Sequence, residues 1–331
     1  MIEENRRDMS EEMIDVHLKN DTNNSKLIIA VTMATGLQGR GVVKELSKTN
    51  KFHIKAMTRN PYSVAAQELK KIKNVEVIKA DLLNAKSLES CFEGVYGIFG
   101  NTTPTKGWQP FVRTYEMEQG QNLIDVVKKI SRKGDLKHFI FSSVCKAKDL
   151  MLNKPAPGHF SSKWDIEEYL HNNELTTLST IIRPVSYFEN FDGSYPGLNI
   201  NDSFFPGIVN PEKVWQTIAV SDVGRWASAI FSNPPKFLGR SINLAGEEMT
   251  GKEMVALLNK IKGKEEKEVK YKMIPRFILK FLIHDLGIMA DWIERAGYGA
   301  DLNFLTTLAK EEGIFMTSFE SWLQEKVNAR I

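Results

Sequence analysis

Hydrophobic positions in the first half of the chain occur as short runs that alternate with amphipathic stretches. The first run, Leu27–Val31, is rich in β-branched residues, which is typical of a strand buried on both faces of a parallel sheet. Such alternation predicts an α/β fold with a doubly wound parallel sheet and right-handed crossovers. The predicted strands are Leu27–Val31, Phe52–Thr58, 75–80, 95–100, His138–Ser142 and 178–183, and the predicted helices include 61–72, 84–92, 111–131 and 161–171.

The pattern changes after Pro184. An irregular, aromatic-rich region is followed by a predicted helix at 220–231, a strand near Ser241–Leu244 and a mainly helical remainder. We therefore predict a disordered tail over residues 1–25, a nucleotide-binding domain over 26–186 and a smaller, mostly helical C-terminal lobe over 187–331. One strand region and one helix of this lobe are candidates to return to the parallel sheet.

Charge and cysteine content narrow the classes of function. The formal net charge of +3, from 44 basic and 41 acidic residues, is too balanced to favour nucleic acid or a membrane surface. No apolar run reaches the length of a membrane-spanning helix, and Cys91 and Cys145 cannot form a disulfide framework. We expect a cytoplasmic protein, with the nucleus as a further compartment, that contacts neither membrane nor nucleic acid directly.

The turn after the first strand has the composition of a phosphate-binding turn. Gly36 lacks a Cβ, so a pyrophosphate can approach its backbone closely, and Gly39 allows the next helix to pack tightly on the strand. The start of that helix would direct free N–H groups at the phosphates. Met33 replaces the usual first glycine, which weakens the motif and leaves a turn used only for packing as the alternative.

The ends of the next strands suggest which dinucleotide binds. Arg59 follows the second strand where an acid would otherwise meet the ribose hydroxyls, and Arg40 on the glycine turn could converge on it. A guanidinium suits a phosphate, so NADP(H) is favoured over NAD(H). The alternative is an exposed arginine in a loop.

Polar residues also follow the third, fourth and fifth strands. Asp81 could accept from an adenine amino group while Leu82 packs on the ring, or Asp81 could simply cap a helix. Residues 101–103 are placed to border the middle of the cofactor. Ser142 and Ser143 end the fifth strand.

Six motifs in order carry a family resemblance. They read Ala-Thr-Gly-x-Gln-Gly from residue 34, Thr-Arg-Asn-Pro from 58, Ala-Asp-Leu from 80, His-Phe-x-x-Lys from 159, Arg-Pro-x-x-Tyr-Phe-Glu-Asn from 183 and Val-Ser-Asp-Val-Gly from 220. Together they resemble the NmrA-like family, atypical members of the short-chain dehydrogenase/reductase superfamily, over about residues 26–325.

The resemblance implies a Rossmann-type domain with a smaller C-terminal lobe and an NADP(H) cofactor. Family members often act as regulators or redox sensors through protein partners, and some relatives are quinone reductases. A methionine at position 33 costs about 1 kcal/mol in a turn that prefers glycine, which predicts weaker cofactor binding than in relatives. The predicted cofactor contacts, from strand ends and resemblance together, are Met33, Ala34, Thr35, Gly36, Leu37, Gln38, Gly39, Arg40, Arg59, Asp81, Leu82, Asn101, Thr102, Thr103, Lys163, Tyr187, Phe188, Glu189 and Asn190.

The superfamily's catalytic Tyr-x-x-x-Lys is altered in this sequence. Lys163 is kept and is predicted to hold ribose hydroxyls, but His159 stands where the tyrosine would be. A histidine can donate a proton near neutral pH, so His159 and Lys163 are the candidate catalytic residues. A structural histidine and a surface lysine are the alternatives.

Two functions from different classes follow. The first is an NADP(H)-binding redox sensor that acts through a regulatory protein partner, as a monomer or homodimer. The second is an NADPH-dependent reductase of a quinone or other small aromatic substrate. A structural scaffold that has lost its cofactor is a third possibility. For the reductase, an aromatic cluster could line the substrate pocket, although such residues more often form the core of a lobe: Tyr187, Phe188, Phe191, Tyr195, Phe204, Phe205 and Trp215.

Overall fold

A parallel sheet of seven strands organises the computed structural model, which describes residues 26–103, 113–145, 157–195, 198–199, 204–263, 267–282 and 284–328. The tail over residues 1–25, which the sequence predicts to be disordered, lies outside these ranges. The strands are β1 (Leu27–Val31), β2 (Phe52–Thr58), β3 (Val75–Lys79), β4 (Gly97–Gly100), β5 (His138–Ser142), β6 (Ser179–Pro184), β7 (Ser186–Tyr187), β8 (Asp192–Tyr195), β9 (Leu198–Asn199), β10 (Phe204–Gly207), β11 (Val214–Ile218), β12 (Ser241–Leu244), β13 (Glu247–Thr250) and β14 (Lys270–Met273).

The helices lie on both faces of the sheet and in the lobe. They are α1 (Leu37–Lys48), α2 (Val64–Lys70), α3 (Ala85–Cys91), α4 (Arg113–Ser131), α5 (Gly158–Asn172), α6 (Val220–Ser232), α7 (Pro234–Phe237), α8 (Gly251–Lys262), α9 (Arg276–Leu282), α10 (His284–Arg295), α11 (Leu302–Glu311) and α12 (Phe319–Asn328). Among the described residues, none of these helices combines the length and the apolar character needed to span a membrane.

The sheet has the strand order β12-β6-β5-β4-β1-β2-β3, and all its neighbours are parallel. Successive residues of β1 point to opposite faces, so Ile29 and Val31 join one hydrophobic cluster while Ala30 joins the other. All three side chains are fully buried. Helices on both faces confirm the predicted doubly wound fold.

One strand and one helix return from the second half of the chain to the sheet. β12 pairs with β6 at the edge, and α6 packs on α1 through two glycines. A Cβ on Gly41 would lie 2.8 Å from the carbonyl oxygen of Val220, and a Cβ on Gly224 would lie 2.5 Å from that of Gly41. Residues 220–244 therefore belong structurally to the sheet, although they follow the start of the lobe in sequence.

Four residues of the aromatic cluster predicted in the second half belong to the core of the lobe, whereas Phe204 is exposed. Phe188, Phe191, Phe205 and Trp215 are buried, and the ring of Phe191 lies 5.1 Å from that of Phe205 and 5.5 Å from that of Trp215. Among the described residues, none of these four side chains lines the cleft at the carboxyl edge of the sheet that is described below as the main cleft. The structure thus favours the second alternative for the cluster, which is packing.

Two helix starts differ from the sequence prediction for reasons of capping. The helix predicted over residues 61–72 corresponds to α2, which begins only at Val64. The hydroxyl of Ser63 accepts from the amide of Ala66 and so caps the N-terminus of the helix. α5 begins at Gly158, three residues before its predicted start. Its first amide donates to the Asp285 carboxylate at 2.5 Å, a cap that comes from α10 and has no local sequence signal.

Candidate functional site

The turn between β1 and α1 has a left-handed residue at its centre. Met33 has φ of +51°, a conformation that favours glycine, and its carbonyl accepts from the amide of Gly36 at 2.9 Å. A Cβ on Gly39 would lie 2.3 Å from that same carbonyl oxygen, so only glycine fits where α1 meets the strand. This is the packing role that the sequence predicts for Gly39.

α1 begins with backbone amides that have no acceptor. Gly36 is the N-cap in extended conformation, and as a glycine it has no side chain that could cap the helix. Among the described residues, the amides of Leu37, Gln38 and Gly39 meet no hydrogen-bond acceptor, as expected for the first turn of a helix. The carboxyl edge of the sheet therefore presents unpaired donors and the positive end of the helix dipole beside the glycine turn.

A cleft of about 190 Å³ opens beside this turn. Six of its lining residues were predicted from strand ends, namely Met33, Thr35, Arg59, Asp81, Leu82 and Thr103. The others were not predicted and come from β2 to α4: Met57, Thr58, Asn60, Ser63, Ala80, Tyr115 and Gln119. The cleft thus joins the ends of four neighbouring strands, which is where ligands bind in open α/β sheets.

Arg59 is held at the rim of this cleft. Its guanidinium donates to the hydroxyl of Tyr115 at 3.3 Å, and no carboxylate is paired with it among the described residues. Arg40, predicted to converge on Arg59, is not among the residues that line the cleft. A guanidinium without an acidic partner leaves a positive charge available to an anion.

Asp81 lines the cleft rather than capping the next helix. Asn84 caps α3, since its side chain accepts from the amide of Ser87 at 3.1 Å. Asp81 uses Oδ1 to accept from the amide of Leu83 at 3.0 Å, which orients the carboxylate. The alternative function of Asp81 as an N-cap is therefore wrong for this chain.

A chain of hydrogen bonds connects the glycine turn to α5. Gln38 is 6% exposed, and its Nε2 donates to the hydroxyl of Ser142 while its Oε1 accepts from Nδ2 of Asn101, both at 2.6 Å. Oδ1 of Asn101 then accepts from Nζ of Lys163 at 2.9 Å. The residues after β1, β4 and β5 are thereby held in one arrangement.

Lys163 is buried against an acid that the sequence analysis missed. Its Nζ lies 3.3 Å from Oε1 of Glu116, and also donates to the carbonyl and hydroxyl of Thr102 at 3.1 Å and 2.9 Å. Burial lowers the pKa of Lys163, while the Glu116 carboxylate opposes that effect. With Oδ1 of Asn101 included, four oxygens surround the three N–H protons of the Lys163 ammonium. Lys163 is therefore fully engaged within the protein.

Glu116 is completely buried on α4 and also accepts from the hydroxyls of Thr102 and Ser162. Its sequence position carries a signal, because it lies seven residues before Leu123 and thus on the apolar face of the helix. An acid on a buried helix face requires a partner, and Lys163 supplies it.

His159 contacts the lobe rather than the main cleft. Its Nδ1 is paired with the carboxylate of Asp285 on α10, and its amide donates to the same group at 3.4 Å. Burial acts to raise the pKa of Asp285, but the hydrogen bonds and charge of His159 together with the hydrogen bond from the Gly158 amide outweigh burial, and the pKa is lowered. The pair is about one quarter exposed and joins α5 to α10.

Residues 187–190, predicted as cofactor contacts, pack within the lobe and against the start of α6 in this structure. Phe188 is fully buried, with its ring 5.2 Å from that of Phe319. Glu189 accepts from the amide of Val220 at 3.0 Å at the start of α6, and burial raises its pKa. Tyr187 belongs to β7, which pairs with β11, and Asn190 is half-buried beside it. Among the described residues, none of these four lines the main cleft.

The geometry of the turn and the cleft agrees with the comparison to known families, in which the model of the NmrA-like family matches residues 25–320. The chain belongs to the NmrA-like family. An NmrA-like oxidoreductase of Aspergillus hancockii, hkm9, is 28% identical over 72% of this chain and 73% of its own length.

Two solved structures show how widely the fold extends. One is NmrA, a negative transcriptional regulator solved in complex with NADP and also with NAD. Its NADP complex superimposes with a TM-score of 0.71 at 23% identity, over 91% of this chain and 95% of its own length. The NADPH-dependent quinone oxidoreductase of Escherichia coli, solved with NADPH, gives 0.67 at 22% identity over 90% and 99%. At such identities the likeness establishes the NmrA-like fold alone.

Proposed function

We propose that this NmrA-like protein binds NADP(H) along the carboxyl edge of its sheet, with the 2′-phosphate on Arg59. The observation that carries the proposal is the Arg59 guanidinium, which is held by Tyr115 at the rim of the cleft and meets no described acid. NAD-specific sites place a carboxylate at this point, and β2 supplies none. The solved relatives with bound NADP or NADPH support the choice.

The other parts of the cleft fit the rest of the nucleotide. The unpaired amides of residues 37–39 suit a pyrophosphate, and the partly buried Met33 forms an apolar wall with Leu82 beside the oriented carboxylate of Asp81. Asn101 would border the nicotinamide half. The N–H protons of Lys163 are already donated to protein oxygens. We therefore assign Lys163 the role of holding Asn101 and Thr102 in place.

We propose further that the protein is an NADPH-dependent reductase of a quinone or other small aromatic substrate. The bound nucleotide would supply the hydride. Support comes from the oxidoreductase of Aspergillus hancockii and from the quinone oxidoreductase of Escherichia coli. A partly exposed histidine paired with an acid one helical turn before Lys163 adds a group able to exchange a proton.

A redox sensor that acts through a regulatory protein partner is the second candidate. The observation that favours it is the environment of Lys163, which is closed off by Glu116, Asn101 and Thr102 and lacks a neighbouring tyrosine at position 159. A sensor needs different affinities for NADPH and NADP⁺, or different structures with each. Such a protein would bind NADPH without consuming it.

The test begins with titrations of NADPH and NADH against the wild type and Arg59→Ala. We expect the variant to weaken NADPH at least tenfold and NADH less than threefold, since only NADPH carries the 2′-phosphate. Lys70→Ala, an exposed cation on α2 outside the cleft, is the matched control and should change neither affinity. Equal losses for both nucleotides would rule out Arg59 as the phosphate ligand.

A panel of quinones then separates the two candidates. Steady NADPH oxidation by the wild type supports the reductase. Binding of NADPH without oxidation, together with unequal affinities for NADPH and NADP⁺, supports the sensor.

A further inference from the structure

We infer that His159 and Asp285 form a proton-donating pair for the reductase proposed above, with His159 as the catalytic residue and Asp285 as its positioning residue. The inference rests on the proposed function. The altered Tyr-x-x-x-Lys motif lacks the tyrosine that would donate the proton. The pair between α5 and α10 supplies a proton donor in its place.

The carboxylate of Asp285 is oriented by donors on both of its oxygens. Oδ1 accepts from the amide of Gly158 at 2.5 Å, while Oδ2 accepts from the amide of His159 at 3.4 Å and is paired with Nδ1 of the same residue. A charged acceptor at Nδ1 keeps the proton of the neutral ring on that nitrogen. Nε2 is then the atom that exchanges protons.

Nε2 is available for that exchange. No acceptor or donor contacts it among the described residues, and the side chain is 26% exposed. His159 lies four residues before Lys163 on α5, which places it on the same side of the helix and about 6 Å along its axis. Lys163 reaches Asn101 at the end of β4, so the histidine stands one turn from the carboxyl edge of the sheet.

The other candidate proton donor of the altered motif, Lys163, is already committed, because four oxygens surround its Nζ. Reduction of a quinone to a hydroquinone takes one hydride, which the reduced nucleotide supplies, and one proton. The Nε2–H bond of the protonated ring breaks, the proton passes to the substrate oxygen, and water returns a proton to Nε2.

The experiment compares His159→Ala, Asp285→Asn and Asp285→Glu with wild-type protein, using NADPH and a soluble benzoquinone. We expect His159→Ala to lower kcat at least about 100-fold, the usual scale of general acid catalysis. Free imidazole should restore part of the rate. Asp285→Asn should lower kcat at least tenfold with KM and NADPH affinity within threefold, and Asp285→Glu should recover part of that loss.

Asp291→Asn is the matched control, because Asp291 lies on the same helix and pairs with Arg276 and Lys280 instead. It should leave kcat unchanged, which separates the proton-donating role from simple loosening of α10.

A second readout needs no turnover. ¹⁵N NMR of the His159 ring should show the Nδ1–H tautomer in the wild type and less of it in Asp285→Asn, because an amide cannot accept on both of its ends. An unchanged tautomer, or a His159→Ala variant that reduces the quinone within threefold of the wild-type rate, would overturn the role of the His159–Asp285 pair and leave the reductase function standing. A wild type that binds NADPH but reduces no quinone would overturn the reductase function and the assignment with it.

Discussion

Replacing Met33 with glycine separates backbone strain from side-chain contact in the glycine turn. Met33 has φ of +51°, and this left-handed conformation costs a non-glycine residue about 1–2 kcal/mol. Glycine relieves that cost but loses about 0.5–1 kcal/mol of backbone entropy. Met33 is also partly buried against Leu82 and its neighbours, and losing that contact costs about 1 kcal/mol more. We therefore expect Met33→Gly to leave stability nearly unchanged.

Glu174→Gly is the matched control for this substitution. Glu174 has φ of +63°, is exposed and lies outside the cleft. Glu174 has the same left-handed backbone strain as Met33, but its side chain has no buried packing to lose. Glu174→Gly should therefore stabilise the protein by about 0.5–1 kcal/mol. Denaturant unfolding of the wild type and both variants measures the two values. A Met33→Gly variant stabilised as much as the control would show that the Met33 side chain contributes no packing.

The same pair of variants tests the effect of Met33 on the nucleotide. A backbone strain that is equal in the free and the bound protein lowers the stability of the fold and cancels from the affinity. The weaker cofactor binding predicted from the sequence stays a prediction, and the Met33 side chain on the cleft wall is a second way for this residue to act on the nucleotide. We expect Met33→Gly to weaken NADPH about three- to tenfold and Glu174→Gly to have no effect. Tighter NADPH binding by Met33→Gly would mean that the side chain obstructs the cleft.

Two further predictions concern buried acids. Glu116→Gln should destabilise the fold by about 3–5 kcal/mol, because it leaves the Lys163 ammonium buried without its charge partner. The double variant Glu116→Gln/Lys163→Met should recover most of that loss in denaturant unfolding, and a purely additive double variant would argue against coupling. Burial raises the pKa of Asp222 to about 6, despite its contacts with Arg225 and Thr317. The folded state thus binds the proton more tightly than the unfolded chain. Relative to Asp222→Asn, the wild type should gain about 1 kcal/mol of stability between pH 7.5 and pH 5, and a loss over that range would contradict the assigned burial effect.

Short-range patterns in the sequence determined the framework of this protein. The runs that predicted β1, β2 and β5 have the same bounds in the structure, because strand periodicity and β-branched composition act within a few residues. Gly39 was predicted from its place between a strand and a helix, and the structure leaves no room there for a Cβ. The position of Arg59 after β2 likewise placed it at the cleft, since parallel strands end at the same edge.

Only the tertiary structure decided which side chains meet. Glu116 pairs with Lys163 across 47 positions of sequence, and His159 pairs with Asp285 across 126. Tyr115 reaches Arg59 in the same way. Nothing in the local spacing of these residues encodes the packing of α4, α5 and α10 that brings them together. Because the energy of a charge or a hydrogen bond depends on its partner and its burial, the chemistry of the candidate site became visible only when the helices were in place.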